Sequence, residues 1–294
     1  MKIYSVAWGW TPIPEQMPEG DSLIRIADQI KELGFDGVDY LSTYESLDTY
    51  FTKEKCELIR QYCQDIKLDI GGLVFQSALW NHPDETVQER QQAYFEKCTD
   101  AAVSLGATTI SCIIPRPFGA KGTRSNASPS EKRSYKLPAD YSWQQDWDRF
   151  SKSMKKAVTV AGEKGITIAL ECFPGSLCST PHAMLQIIDE VGQDNFGIQL
   201  DTAHLMNQAI DIETTLYMLG SKNIKNVHFK DSDGLTRGNL PAGCGLVDYP
   251  AVLQALKNIG YKGNASIEVE FTDNPKRYMK QAFDHIDLCL KGLY

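Results

Sequence analysis

Short runs of β-branched and apolar residues alternate along the chain with longer stretches whose apolar positions recur every three or four residues. "IYSVAWG" (3–9) precedes "SLIRIADQIKELG" (22–34), where Leu23, Ile26, Ala27 and Ile30 share one helical face. The order repeats in "FDGVDYL" before "TKEKCELIRQYCQDI", "LDIGGLVF" before "VQERQQAYFEKCTDAAVSLG", and "TTISCII" before "WQQDWDRFSKSMKKAVTVAGEKG". It continues as "ITIALECF" before "PHAMLQIIDEVG", "NFGIQLD" before "IETTLYMLG", "IKNVHFK" before "YPAVLQALKNIG", and "NASIEVEF" before "PKRYMKQAFDHIDLCLKGL". Gly34, Gly106, Gly165 and Gly260 end helical stretches just before the next strand, where a left-handed C-cap is expected.

Such alternation predicts parallel strands joined by right-handed crossovers. Eight units predict an α/β fold, a closed (β/α)8 TIM barrel, with residues 1–294 as one domain. An open doubly wound sheet usually has fewer strands and a glycine-rich first turn, and the sequence has neither feature. Residues 115–142, "PRPFGAKGTRSNASPSEKRSYKLPADYS", break the rhythm after the fourth strand. A loop of this length is either a solvated insertion or a lid. With six Lys/Arg against two Asp/Glu between Arg116 and Asp140, a lid would suit an anionic or polyhydroxylated substrate.

Composition narrows the class. The chain has 42% hydrophobic and 23% charged residues, as an ordinary globular protein does. Its net charge of −8 disfavours a nucleic-acid partner, which needs a Lys/Arg-rich face to neutralise phosphates. The eight cysteines form no CxxC pair and read as free thiols of a reducing compartment. No signal-like segment opens the sequence, and no apolar run approaches the roughly 20 residues of a membrane span. A cytoplasmic protein with no membrane partner is the expectation.

Catalytic groups of such barrels come from the C-terminal ends of several strands. Strand five ends on Glu171; strand six ends on Asp201, with His204 just beyond it. Strand seven carries His228, then Lys230 and Asp231; strand eight carries Glu268 and Glu270 on one face. Singly, Asp201 could cap the next helix, His228 could be a hydrogen-bonded core histidine, and each glutamate could pair with a lysine. Together they place three carboxylates and an imidazole at one mouth with Lys230 as the nearby cation. Buried charges must be paired or metal-bound. Oxygen-rich ligation with one nitrogen suits Mn²⁺, Mg²⁺ or Co²⁺ better than a structural zinc.

The segments "IALECFPG", "IQLDTAHL", "NVHFKDSDG", "PAGCGLVDY" and "GYKGNASIEVEF" resemble the xylose-isomerase-like barrels called sugar phosphate isomerases/epimerases. That family includes D-tagatose 3-epimerase, hydroxypyruvate isomerase and inosose dehydratase. The resemblance spans essentially the whole barrel and implies a divalent metal, Mn²⁺ first and Mg²⁺, Co²⁺ or Zn²⁺ otherwise, on Glu171, Asp201, His228 and Glu268. Spacing alone leaves Glu268 and Glu270 open, and the resemblance selects Glu268. The 3-epimerases usually follow the strand-seven histidine with Gly-Glu and an arginine. This chain has "HFKDSDGLTRG", with Lys230 and Asp231 in that place and Arg237 further along.

The implied chemistry starts with Glu171 and Glu268 facing each other across a sugar whose carbonyl the cation polarises. One glutamate removes a proton from the adjacent carbon and gives an enediolate. Return of a proton to the opposite face is epimerisation, and return to the neighbouring carbon is isomerisation. Expulsion of a β-oxygen is dehydration or glycoside elimination. The leading expectation is an isomerase or epimerase of a keto-sugar or sugar derivative. A lyase of the inosose dehydratase or oxidised-glycoside kind follows, and then a non-catalytic carbohydrate-binding barrel. His204, Lys230, Arg116 and Arg237, with Trp8 and Trp80 as aromatic walls, are the candidate contacts to the small-molecule carbohydrate. Such barrels also commonly form homo-oligomers. The family's DNA-cleaving branch needs more histidines than the five present.

Overall fold

A computed structural model describes residues 1–10, 20–121, 136–234, 239–269 and 273–292. Its strands are β1 (Ile3–Val6), β2 (Gly37–Ser42), β3 (Asp69–Phe75), β4 (Thr109–Ile113), β5 (Thr167–Glu171), β6 (Phe196–Asp201), β7 (Ile224–Phe229) and β8 (Ala265–Ile267). Each pairs in parallel with the next, and β8 closes on β1 through Ile3–Ala265, Tyr4–Ser266 and Ser5–Ile267. The expected closed eight-stranded barrel is the fold observed.

The helices outside the barrel are α1 (Gly20–Glu32), α3 (Lys53–Asp65), α4 (Glu85–Leu105), α5 (Trp143–Glu163), α6 (Pro181–Val191), α8 (Ile212–Asn223), α9 (Tyr249–Asn258) and α10 (Pro275–Gly292). In α5, Trp147, Phe150, Met154, Ala157, Val158 and Ala161 are buried at three- and four-residue steps. Each large side chain so covered contributes about 1.5–3 kcal/mol. The four glycines expected as C-caps have φ of 99°, 75°, 73° and 75° at Gly34, Gly106, Gly165 and Gly260, a region that penalises any Cβ.

Two short helices are additions to the sequence reading. Both α2 (Tyr44–Thr49) and α7 (Thr202–Met206) follow strand ends directly, and each is capped by the residue before it, Thr43 and Asp201. Strand ends also differ from expectation. The first strand stops at Val6, and residues Ala7–Trp10 form a 3₁₀ turn that folds back as Trp10 Nε1 donates to Ser5 Oγ at 2.9 Å. The last strand stops at Ile267, although Glu268 N–H still donates to Phe229 O at 3.1 Å.

Inside the barrel the side chains are unusually polar. Branched apolar residues normally fill this space, but here Ser5, Asp39, Ser111, Gln199, Asn226 and Ser266 are all buried. Hydrogen bonds between non-neighbouring strands, Ser111 on β4 to Gln199 on β6 and Ser266 on β8 to Asp39 on β2, must cross the interior. Gly71 makes room for this layer: a Cβ there would lie 2.5 Å from Asp39 Oδ1 and from the Tyr4 ring. Among the described residues no helix is long and apolar enough to cross a membrane. The cysteines form no disulfide, and six of the eight are buried.

Candidate metal centre

Parallel register brings four strand ends to one level. Glu171 ends β5, Asp201 ends β6 with its Cα opposite His228 on β7, and Glu268 follows β8. One ligand atom from each of Glu171, Asp201, His228 and Glu268 lies within 4.8 Å of all the others. Asp201, His228 and Glu268 are almost wholly buried, while the Glu171 side chain keeps 14% of its surface open toward the mouth.

Asp201 does two things at once. Its Oδ1 accepts His204 N–H at 2.9 Å and caps α7, as a strand-end aspartate preceding a helix should. Its Oδ2 has no hydrogen-bond partner among the described residues and lies 3.7 Å from both His204 Nε2 and Lys230 Nζ. His228 Nδ1 is 2.7 Å from Glu268 Oε2 and 3.8 Å from Glu171 Oε1. Lys230 Nζ is fully buried and donates to Glu268 Oε1 at 2.7 Å.

These groups fit a divalent cation. A buried carboxylate oxygen that accepts no hydrogen bond costs free energy unless a cation meets it closely, and Asp201 Oδ2 accepts none, with Lys230 Nζ standing off at 3.7 Å. Three carboxylates, the Lys230 ammonium and a dication sum to zero formal charge with His228 neutral. Three oxygen donors and one nitrogen are the ligand chemistry of Mn²⁺, Mg²⁺ or Co²⁺.

Without the ion, the carboxylates act on each other and on the histidine. Burial, then the charge of Glu268, pushes the Glu171 carboxyl above its usual range. Burial disfavours the His228 imidazolium, but the hydrogen bond and charge of Glu268, with Glu171 and Asp201, outweigh it and raise the pKa to about 9. A metal must therefore displace a proton from His228 below that pH. Divalent-metal affinity is expected to rise about tenfold per pH unit between pH 6.5 and 8.5, with roughly one proton released per ion. Calorimetric titration of Mn²⁺ in two buffers of different ionisation enthalpy checks this, and an affinity flat across that range contradicts it.

Around the centre, the sequence-derived contacts fall into different places. His204 lies beside the cluster, its Nε2 3.8 Å from Glu171 Oε1. Phe173 faces the His204 ring at 6.3 Å, and the Arg116 guanidinium lies 5.3 Å over the Phe173 ring. His204, Phe173 and Arg116 thus lead from the cluster toward the loop that follows β4. Trp8 is half-buried in the turn after β1. Trp80 requires a correction: it is fully buried against Phe75 and Phe95, with its indole N–H donating to Ile113 O at 3.1 Å. It is packed between β3 and α4 and forms no sugar-facing wall. Glu270, Arg237 and residues 122–135 of the predicted loop lie outside the described residues.

Three features have roles that go beyond the sequence reading. Phe173 is one, and an aromatic directly after "EC" at a strand end was its signal. Asp231 is fully buried and accepts N–H donors from Ser232 at 2.8 Å, Gly243 at 2.9 Å and Val247 at 3.1 Å. It ties the "PAGCGLVDY" segment to the end of β7, and a Cβ on Gly245 would lie 2.3 Å from its Oδ1. Asp146 of α5 accepts from Phe118 N and Asn81 Nδ2, both at 2.8 Å, and from Tyr141 OH at 3.1 Å. Asn81 also holds Arg116 O at 2.8 Å, so one buried aspartate gathers both bases of the long loop. Between those bases, Lys121 and Lys136 exchange backbone hydrogen bonds at 3.0 Å.

The family model for the xylose isomerase-like TIM barrel matches residues 27–289. The chain belongs to that family. Within it, an L-ribulose 3-epimerase of Mesorhizobium japonicum is 31% identical over 125 residues, 42% of this chain and 40% of that protein. An inosose dehydratase of Glaesserella parasuis is 24% identical over 245 residues, 73% of this chain and 77% of that protein. The chain spans about two-fifths of the length of the first of these two. The solved D-psicose 3-epimerase of Clostridium cellulolyticum superposes with a TM-score of 0.79 at 17% identity, covering 99% of each chain. That superposition establishes a shared fold, and the two relatives named from sequence are an L-ribulose 3-epimerase and an inosose dehydratase.

Proposed function

We propose that this protein is a divalent-metal-dependent isomerase or epimerase of a keto-sugar or sugar derivative, with Mn²⁺ as the first candidate ion. The observation that carries the reading is the cluster of Glu171, Asp201, His228 and Glu268 at the barrel mouth, its ligand atoms within 4.8 Å of one another. The sugar 3-epimerases among the relatives support it.

A divalent ion held by the four residues would polarise a substrate carbonyl and stabilise the negative charge left by proton removal. Glu171, partly open to the mouth and with its carboxyl pKa raised, takes the proton from the adjacent carbon. Glu268 faces the other side of the substrate and is held by His228 and Lys230. Lys230 keeps a positive charge beside that glutamate, and His204 with Arg116 contacts the substrate oxygens. Phe173 supplies an apolar surface for the sugar's C–H face and helps exclude water.

The test is metal content of the purified protein beside Asp201→Ala and His228→Ala, followed by ¹H exchange of keto-sugars in D₂O. About one ion per chain, lost in both variants, and metal-dependent exchange at a carbon next to the carbonyl are the expected results. No specific ion even after Mn²⁺ addition would sink the mechanism.

Lys230 favours a second reading, a lyase on the same centre. An ammonium 2.7 Å from Glu268 restrains one of the two glutamates that epimerisation requires, whereas elimination needs one base and a protonated leaving oxygen. The long match to an inosose dehydratase points the same way. Loss of water or an aglycone alongside exchange, with no epimer formed, distinguishes this outcome.

A further inference from the structure

β6 and β7 pair as far as Asp201 and His228, and there β6 turns away into α7. Lys230 lies one residue beyond the end of β7, where the ladder to β6 has stopped. Its peptide groups bond to a side chain instead: Thr202 Oγ1 accepts Lys230 N–H at 3.1 Å and donates to Lys230 O at 2.6 Å. On the other edge of the same strand, Phe229 O accepts Glu268 N–H at 3.1 Å. Residue 230 is therefore held from both sides, by β8 through its neighbour and by Thr202 directly.

The hydroxyl is fully used. Its one proton goes to Lys230 O, since His228 O is the more distant acceptor at 3.3 Å. Its two lone pairs are left for Lys230 N–H and for Tyr249 O–H at 3.4 Å. Thr202 and Tyr249 are both fully buried, so no water competes for these contacts. Phe229 turns its ring outward against Tyr249, at 5.5 Å between centroids. The next side chain, Lys230, therefore emerges on the opposite face of the sheet, inside the barrel mouth. There its ammonium donates to Glu268 Oε1 at 2.7 Å and lies 3.7 Å from Asp201 Oδ2.

We propose that Thr202 is a positioning residue for the Lys230 ammonium, and through it sets how Glu268 is shared between the lysine and a metal ion. Holding both peptide groups of Lys230 fixes the point from which its side chain reaches the carboxylates. Loosening that hold lets the ammonium withdraw from Glu268 and Asp201. A dication then meets less repulsion and a freer carboxylate oxygen, so it binds more tightly. The proposal rests on the reading of Asp201 and Glu268 as metal ligands.

The test is Co²⁺ titration of metal-free protein, read by its visible absorption, in a double-mutant cycle of Thr202→Val and Lys230→Met. Thr202→Val keeps the shape of the side chain without the hydroxyl. With Lys230 present it is expected to tighten Co²⁺ binding about threefold to tenfold, a usual coupling within one buried network. In the Lys230→Met background the same substitution is expected to change affinity by less than about twofold, as independent sites do. A merely structural role would shift affinity alike in both backgrounds. Thr202→Ser retains the hydroxyl and is expected to bind Co²⁺ as the unaltered protein does. Thermal unfolding of the metal-free forms shows which variants fold; should Thr202→Val not fold, Thr202→Ala goes through the same cycle. Equal effects in the two backgrounds, or unchanged or weakened binding when Lys230 is present, overturn the proposal. So does a Thr202→Ser variant that behaves like Thr202→Val. Absence of Co²⁺ binding by the unaltered protein instead overturns the metal reading, and this proposal with it.

Discussion

Glu171→Gln is expected to lower substrate turnover and solvent-deuterium incorporation by about 10²–10⁴-fold while the barrel folds normally. The substitution keeps the shape of a side chain whose carboxyl already has little contact with donors: its nearest ring nitrogens are 3.8 Å away on His204 and His228. What it removes is the basic oxygen. Because Asp201, His228 and Glu268 remain, the variant should still bind Mn²⁺, though more weakly with one carboxylate ligand gone. Exchange of substrate protons in D₂O at saturating Mn²⁺ separates the two effects. Persistence of exchange within tenfold of the unaltered protein would show that Glu171 is a ligand only, and the base would have to be sought elsewhere in the mouth.

The barrel was legible because its signals are local and periodic. Apolar steps of three and four mark α5, and the glycines at 34, 106, 165 and 260 adopt the left-handed conformation that their positions before strands imply. The clustering of Glu171, Asp201, His228 and Glu268 was legible for a different reason. A charged residue at the end of an apolar strand is costly to bury, so its repetition at β5, β6, β7 and β8 pointed to one shared cause.

What stayed hidden depends on which residues meet across the barrel or on which side of the sheet a side chain lies. Trp80 follows β3 as a rim residue would, yet its indole turns outward under α4, and a single tryptophan carries no periodicity to reveal this. The floor of Ser111, Gln199, Asn226, Ser266 and Asp39 is assembled from five strands, each contributing one residue to it. The clamps at Asp146 and Asp231 are likewise long-range: a helix aspartate meets both ends of a loop, and a strand-end aspartate meets backbone up to sixteen residues later. Asp201 shows how two readings can both hold, since one oxygen caps α7 while the other faces the centre.

Lys230→Met is expected to destabilise the metal-free protein by about 1–3 kcal/mol, because Glu268 Oε1 loses its buried donor while His228 still partners Oε2. The lysine is 1% exposed and its ammonium is the cation held between Glu268 Oε1 at 2.7 Å and Asp201 Oδ2 at 3.7 Å. Methionine fills much of the same volume, so the loss is electrostatic more than steric. The consequence for metal is opposite in sign. With the ammonium gone, the carboxylates lose one positive charge that the ion can replace, so Mn²⁺ should raise the melting temperature of the variant by more than it raises that of the unaltered chain. Thermal unfolding with and without Mn²⁺ for both proteins measures the difference directly. An equal or smaller Mn²⁺ stabilisation in Lys230→Met would mean that the ammonium and the ion do not share those carboxylates, and the charge balance drawn for the centre would be wrong. The same variant informs the choice of reaction: if Lys230 restrains Glu268, its removal should increase two-sided proton exchange relative to elimination at equal metal occupancy.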